Sequence, residues 1–306
     1  MIGRRGTQWF GAQDAPVVRR ITWATATMVV ATIILVMLTA VSLRAQSSPL
    51  TNANGARATS CPAAVVPTLG ASAAAASLVT GAELRGMTRT GTWHVMEQGN
   101  ARAIAADPSS HLHALGSYHL ARIGAEAFAR CQSGDRAAVS GAVWSIAVGV
   151  TKEIVDGWYT GFSTVDLAVD ALGVGYAVAQ HHVPVLRNVT PTISLAPRAF
   201  RSMQAARGAA TDYANQTVWL STNVRGVLPA SAARVWPAAA CLSVGRRATG
   251  GTNPSEYVIG LDLDANALPG SHPAWMRVKR ALHNVRLPGP AIVMTSTGTR
   301  TVGLYW

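Results

Sequence analysis

The chain is poor in the residues from which most catalytic and metal centres are built. It has 14 acidic residues and three cysteines in 306 positions, and its only lysines are Lys152 and Lys279. It contains no G-x-S-x-G elbow, no Gly-rich phosphate loop and no paired C-x-x-C, so the motifs of those hydrolase, nucleotide-binding and zinc classes are missing. Its basic residues form no large cluster, the best being Arg277, Lys279 and Arg280, which argues against nucleic acid as a partner.

The three cysteines are Cys61, Cys131 and Cys241. An oxidising compartment would allow one disulfide and leave one thiol over. Cys131–Cys241 is one candidate pair, and the spacing alone leaves the pairing open. Cys61 follows Ala58-Thr59-Ser60, which lies too far beyond the apolar run to predict lipidation.

The longest apolar run lies near the N-terminus. Ile21–Leu43 contains 23 residues without a charge, and Arg19 and Arg20 precede it. Such a segment is typical of a signal peptide or a membrane anchor, and its basic flank predicts that residues after about 46 lie on the extracytoplasmic side. We therefore expect a signal peptide or anchor at 1–45 and a linker at 46–70.

The remaining chain changes character once. Residues 71–186 predict an Ala/Gly-rich helical core, and 187–306 predict a β-rich region with one short helix, so we expect an α+β fold. In that short helix, Trp275, Val278 and Leu282 are expected on one side and Lys279 off it. The predicted strands are Val189–Leu195, Thr217–Val224, Ala238–Val244, Tyr257–Leu263, Ala291–Thr295 and Thr301–Tyr305.

Four of the 14 acidic residues fall within Lys152–Gly175, namely Glu153, Asp156, Asp166 and Asp170. Charges in an apolar helical context are costly to bury unless they are paired or bind a metal. One interpretation is a structural network, formed by Lys152, Asp166 and Asp170, in which Asp166 lies in the first turn of a helix capped by Ser163.

The alternative interpretation is a metal or acid/base site. Asp107 and His111 are four residues apart and would share one helix face, so together with Glu153 and Asp156 they are the candidate catalytic residues. The other histidines, among them His113, are expected at a surface or interface. The sequence predicts no particular cofactor or metal.

Several motifs recur in a fixed order, beginning with D-P-S-S-H at 107–111 and S-Y-H-L-A-R at 117–122. They continue with K-E-I-V-D-G at 152–157 and G-F-S-T-V-D-L-A-V-D-A-L-G-V-G-Y at 161–176. This order resembles the YfiM-like family of uncharacterised bacterial envelope proteins, in its long form, and more distantly the VanZ-type membrane proteins. Pro108 stands where that family has Lys. The resemblance covers about residues 93–306 and implies an envelope location without implying an activity.

These observations predict a membrane-associated envelope protein with a structural or interaction role. Its expected partner is membrane lipid or another envelope component. The alternative is a metal- or acid/base-dependent enzyme that acts on a lipid or cell-wall component.

Overall fold

A computed structural model describes residues 61–84, 87–96, 107–196, 215–247, 256–295, 298 and 300–305. The predicted anchor at 1–45 and residues 46–60 of the predicted linker lie outside this part of the chain. Helices come first and a six-stranded antiparallel sheet follows, which confirms the α+β prediction.

Seven α-helices occur within the described residues, four of them long. The long helices are α1 (Cys61–Glu83), α2 (Pro108–Phe128), α3 (Gly134–Asp156) and α4 (Thr164–His182), and the short ones are α5 (Val224–Val227), α6 (Ala230–Ala233) and α7 (Pro273–Leu282). The strands are β1 (Val189–Leu195), β2 (Gln216–Asn223), β3 (Ala240–Arg247), β4 (Glu256–Leu263), β5 (Gly289–Thr295) and β6 (Arg300–Tyr305).

Helix α1 begins inside the predicted linker, so the boundary at residue 70 is wrong. Val65, Leu69 and Ala73 lie four residues apart and are between 1% and 3% exposed. They pack with Phe128 and Trp144 in the core of the helical part. Burial of this stripe is the physical reason that the helix extends back to Cys61, despite Pro67 inside it.

The proposed Cys131–Cys241 disulfide is also wrong. Cys131 is disulfide-bonded, whereas Cys241 is a free, buried thiol. The two residues belong to different regions, because Cys131 follows α2 and Cys241 lies on β3. Burial, with the nearby charges of Asp264 and Asp262, raises the pKa of Cys241 to about 12, so its thiol stays protonated and unreactive.

Helices α2, α3 and α4 approach one another through glycines. A Cβ atom on Gly141 of α3 would lie 2.3 Å from the backbone nitrogen of Ala125 on α2. A Cβ atom on Gly173 of α4 would lie 2.1 Å from the carbonyl oxygen of Ala114, also on α2. These close approaches bring the polar residues of α3 and α4 next to α2.

The six strands pair in chain order as an antiparallel meander. One row of directly opposed residues crosses five of them, and opposed residues in an antiparallel sheet share a face. The row consists of Leu220, Val244, Ile259, Ile292 and Val302. All five side chains are exposed, by 38% to 80%.

The opposite face of the sheet is buried and largely polar. Ser221, Ser243 and Asp262 hydrogen-bond to one another there, and Trp219 donates from Nε1 to Ser194 Oγ. The guanidinium of Arg286 lies 3.7 Å from the centroid of the Trp219 ring. Antiparallel sheets in water usually show the reverse arrangement, with apolar residues inward and polar residues outward.

Helix α7 likewise has a charged side chain buried and an apolar side chain exposed. Lys279 is 3% exposed and donates from Nζ to the carbonyl oxygens of Leu268 and Gly270, whereas Val278 is 45% exposed. The predicted orientation of this helix is therefore wrong. The ammonium finds two carbonyl acceptors inside, which satisfies a charge that would otherwise be costly to bury.

Candidate functional site

Six ionisable side chains meet where the C-terminal end of α3 passes α2 and the first turns of α4. We call this group the polar centre; its members are His113, Lys152, Glu153, Asp156, Asp166 and Asp170. Its carboxylates are deeply placed, because Glu153 is 1% exposed, Asp170 4% and Asp156 7%. Buried charges of this kind require hydrogen-bonding or oppositely charged partners.

Lys152 supplies the ammonium of the polar centre. Its Nζ donates to Asp156 Oδ2 at 2.6 Å and to Glu153 Oε1 at 3.3 Å, and it lies 3.4 Å from His113 Nε2. Lys152 and Asp156 are one helical turn apart, which is the spacing that brings side chains of α3 together. One cation therefore contacts residues of both α2 and α3.

His113 is held by a carboxylate from α4. Its Nδ1 donates to Asp170 Oδ1 at 3.2 Å, and the same oxygen accepts a hydrogen bond from Ser117 Oγ at 2.6 Å. Its Nε2 lies 3.7 Å from Asp166 Oδ2. Asp170 thus fixes the orientation of the imidazole and leaves Nε2 facing Lys152 and Asp166.

The turn between α3 and α4 places Glu153 against the start of α4. The Ser163 backbone N–H donates to Glu153 Oε2 at 3.1 Å, and the Asp166 N–H donates to Ser163 Oγ at 3.0 Å. The second bond is the helix cap that the sequence predicts. Backbone hydrogen bonds from residues 87–96 hold the turn, including His94 N to the Gly157 oxygen and Met96 N to the Phe162 oxygen.

The environment of the polar centre favours the protonated forms of His113 and Glu153. Burial lowers the pKa of His113, but the hydrogen bond to Asp170 and the charges of Asp170 and Asp166 outweigh burial and the Lys152 charge, so the pKa is raised. Burial raises the pKa of Glu153, and the Lys152 charge only partly opposes it. The neighbouring carboxylates therefore account for the direction at His113, and burial accounts for the direction at Glu153.

Asp107 and His111 lie outside the polar centre, contrary to the sequence-based expectation. Asp107 is exposed and caps α2, accepting from the Ser109 N–H at 2.9 Å. His111 Nε2 lies 3.0 Å from Arg246 Nη1 on β3. His113, two residues further on, faces α3 and α4 instead, because two residues turn a helix by about 200°.

The sequence predicts His113 at a surface or interface. His113 is therefore the functional residue that the sequence-based prediction missed. The usable signal was the spacing of small residues on α2. Ala114, Ser117 and Ala121 form a stripe, and Gly173 and Gly141 approach this stripe at Ala114 and Ala121. His113 borders the stripe, which places it beside both neighbouring helices.

A second group of possible ligands lies at the other end of the helical part. His181 Nε2 is 2.9 Å from Asp135 Oδ1, and His182 is adjacent. Asp135 and His182 are exposed, so solvent competes for this group.

No protein-family model, curated protein or solved structure matches this chain. The resemblance to the YfiM-like family therefore rests on the spaced motifs alone and stays a prediction. The function has to be argued from the geometry of the polar centre and of the sheet.

Proposed function

We propose that this protein is a membrane-associated component of the bacterial cell envelope with a structural or interaction role, and that its sheet faces lipid. The observation that carries the proposal is the inverted sheet. Serine, threonine and aspartate side chains occupy much of its inner face beside a small apolar cluster of Trp219, Val258 and Ala291, while leucine, isoleucine and valine side chains are exposed on its outer face. In this account the polar centre is the network that holds α2, α3 and α4 together.

The exposed apolar face is large for a protein that meets only water. The row from Leu220 to Val302 crosses five strands spaced by ~4.8 Å, and Leu242 and Leu261 form a second exposed pair beside it. Together they make a contiguous patch of several hundred Å², a size at which soluble monomers usually carry an interface.

Lipid is the occupant that best fits the dimensions and charge of this region. The strands have six to eight residues, shorter than the ~9–11 that a strand needs to cross a bilayer, so the sheet would lie on the membrane. On α7, exposed Met276 and Val278 alternate with exposed Arg277 and Arg280. Apolar and basic side chains on one short helix are typical of a membrane interface rich in anionic lipid.

The order of segments supports the same proposal. The uncharged segment Ile21–Leu43 would hold the chain at the bilayer, and the 17 residues from 44 to 60 can reach at most ~60 Å. Such a tether would keep the sheet at a high local concentration near lipid. A disulfide at Cys131 agrees with an extracytoplasmic location.

Within the described residues, one helix is long and apolar enough to cross a membrane, by length and composition only. This helix is α3 (Gly134–Asp156). It packs against α2 and α4 and ends in three residues of the polar centre, so we assign it to the helical core.

The test is photo-crosslinking of the full-length chain in vesicles of phosphatidylglycerol and phosphatidylethanolamine that contain a diazirine lipid. We expect lipid adducts in peptides from β4, β5 and α7. The matched control site is Val235, which is 85% exposed but lies outside the sheet. An Ile259→Lys substitution should reduce the adducts on β4, whereas Val235→Lys should leave them unchanged.

Two outcomes would contradict the proposal. Adducts confined to residues 1–45 would show that only the N-terminal segment meets lipid. Protection of β4 from the lipid probe, combined with concentration-dependent dimers, would show that a second copy covers the sheet.

A second candidate function is a metal- or acid/base-dependent enzyme acting on a lipid or cell-wall component. Only His113, half-buried and oriented by Asp170, favours it. Of the four residues that the sequence indicates for it, Glu153 and Asp156 lie in the polar centre, whereas Asp107 and His111 lie outside it and contact other groups. If Glu153→Gln lowers the melting temperature but leaves the cellular phenotype intact at equal protein level, this function loses its support.

A further inference from the structure

Three residues of the polar centre present metal ligands to one another. His113, Glu153 and Asp166 each offer one ligand atom, and these atoms all lie within 4.8 Å. Metal–ligand bonds of ~2.0–2.2 Å need ligand atoms about 3–4 Å apart, so side-chain rotations alone would close the site. The three residues come from three helices, and their backbones are fixed by the close packing at Gly141 and Gly173.

The support around His113 is the kind that metal-binding histidines have. Asp170 accepts from Nδ1, so the lone pair of the neutral imidazole is on Nε2, which faces Asp166 at 3.7 Å. Ser117 in turn donates to Asp170. A carboxylate that fixes the tautomer and direction of a ligating imidazole is a general feature of such sites.

A separate observation is an unsatisfied atom on Asp156. This side chain is 7% exposed, and within the described residues its Oδ1 is buried without a hydrogen-bond partner. Its Oδ2 bonds to Lys152, whose ammonium also contacts Glu153 and His113. Asp156 therefore belongs to the same group, and a buried acceptor without a donor costs about 1–3 kcal/mol.

The charges leave room for a dication. Glu153, Asp156, Asp166 and Asp170 offer four negative charges, whereas Lys152 and a protonated His113 supply two positive ones at most. Lys152 Nζ contacts two of the three ligand residues, so it acts as the cation of the polar centre. Its side chain is 22% exposed, which gives it a path outward when another cation enters.

We propose that the polar centre binds one divalent first-row transition-metal ion through His113 Nε2 and the carboxylates of Glu153 and Asp166. Asp170 positions the imidazole, and Lys152 is the internal counter-ion that the metal displaces. One imidazole with two carboxylates suits Zn²⁺ or Mn²⁺ better than Mg²⁺, which prefers oxygen ligands and water. The inference is independent of the lipid contact proposed above, so either can fail without the other.

The experiment measures Zn²⁺ and Mn²⁺ binding to the full-length, chelator-stripped chain in detergent micelles, by calorimetry and by metal analysis after dialysis. We expect one equivalent of metal. His113→Ala should abolish binding at this site, and Asp170→Asn should weaken it by about 10- to 100-fold. Lys152→Met should tighten binding by about tenfold or more, because it removes a positive charge that competes for the ligands.

Two matched variants make the test specific. His111→Ala, on the same helix but outside the polar centre, should bind as the unmodified chain does. His181→Ala removes the exposed group formed with Asp135 and His182, and should also leave the measured binding unchanged. The tighter binding expected for Lys152→Met keeps the test valid if His113→Ala fails to fold, since misfolding does not create affinity.

The proposal is overturned if the chain binds neither metal. It is equally overturned if His181→Ala removes the binding while His113→Ala does not, or if Lys152→Met binds no more tightly than the unmodified chain.

Discussion

His119 offers the sharpest test of how the helices join the sheet. Its Nε2 is buried, and within the described residues this atom has no hydrogen-bond partner. Burial lowers the pKa of His119 from 6.5 to about 4, the charges of Arg122 and His283 act in the same direction, and the backbone of Pro191 opposes them. Folding therefore disfavours the protonated form of the His119 imidazole.

The sign of the effect on stability follows from proton binding. Between pH 6.5 and pH 4 the unfolded chain protonates His119 and the folded chain does not, so the free energy of unfolding falls as the pH falls. A pH of 5 lies 1.5 units below the pKa of 6.5 in the unfolded chain. At ~1.4 kcal/mol per unit, the free energy of unfolding is therefore lower at pH 5 than at pH 8 by about 2 kcal/mol.

The assay is urea unfolding of the full chain in mild detergent at pH 8 and pH 5, followed by tryptophan fluorescence. His119→Asn keeps a polar side chain of similar reach but cannot titrate, so it should lose about 2 kcal/mol less than the unmodified chain between these pH values. His182→Asn, at an exposed position, should behave like the unmodified chain. Equal losses in the unmodified chain and in His119→Asn would refute the reasoning.

Two pairs of substitutions test the helical part by urea unfolding and thermal melting. Gly173→Ala should cost about 1–3 kcal/mol or more, because its Cβ would lie 2.1 Å from the Ala114 oxygen. Gly175→Ala meets nothing within 4 Å and should be neutral or stabilising by up to about 1 kcal/mol; equal effects of the two would contradict the packing described. Glu153→Ala removes the acceptor of the Ser163 N–H and should lower the melting temperature more than Glu153→Gln, which keeps it. An equal or larger loss in Glu153→Gln would contradict a stabilising role for the hydrogen bond from the Ser163 N–H.

The elements with a clear periodicity were predictable. Val189–Leu195 was predicted at its observed bounds, and the alternation in Tyr257–Leu263 correctly indicated a strand. Ser163 was predicted as a helix cap because Asp166 follows it at the third helical position, as in a capping box. Such local signals depend on neighbours in sequence and need no knowledge of tertiary contacts.

The buried face of each helix and the pairing of the cysteines were not predictable in the same way. Asp107 and His111 were expected on one face of α2, whereas His113 lies about 200° away from His111, and only the position of the neighbouring helices decides which face meets α3. Burial of Lys279 and exposure of Val278 reverse the usual preference, because two carbonyl groups accept the ammonium. The cysteine pairing required the three-dimensional arrangement, which spacing along the chain does not contain.

The central claim is that the outer face of the sheet contacts lipid, and a spin-label accessibility scan along β4 tests it most directly. Single labels from Tyr257 to Leu261 in the full chain, reconstituted in anionic bilayers, would be probed with oxygen and with a water-soluble nickel complex. The account predicts a period of two, with oxygen favoured at Tyr257, Ile259 and Leu261 and with Val258 protected from both reagents. High access of the nickel complex at Ile259 and Leu261, equal to that at exposed Val235, would contradict it.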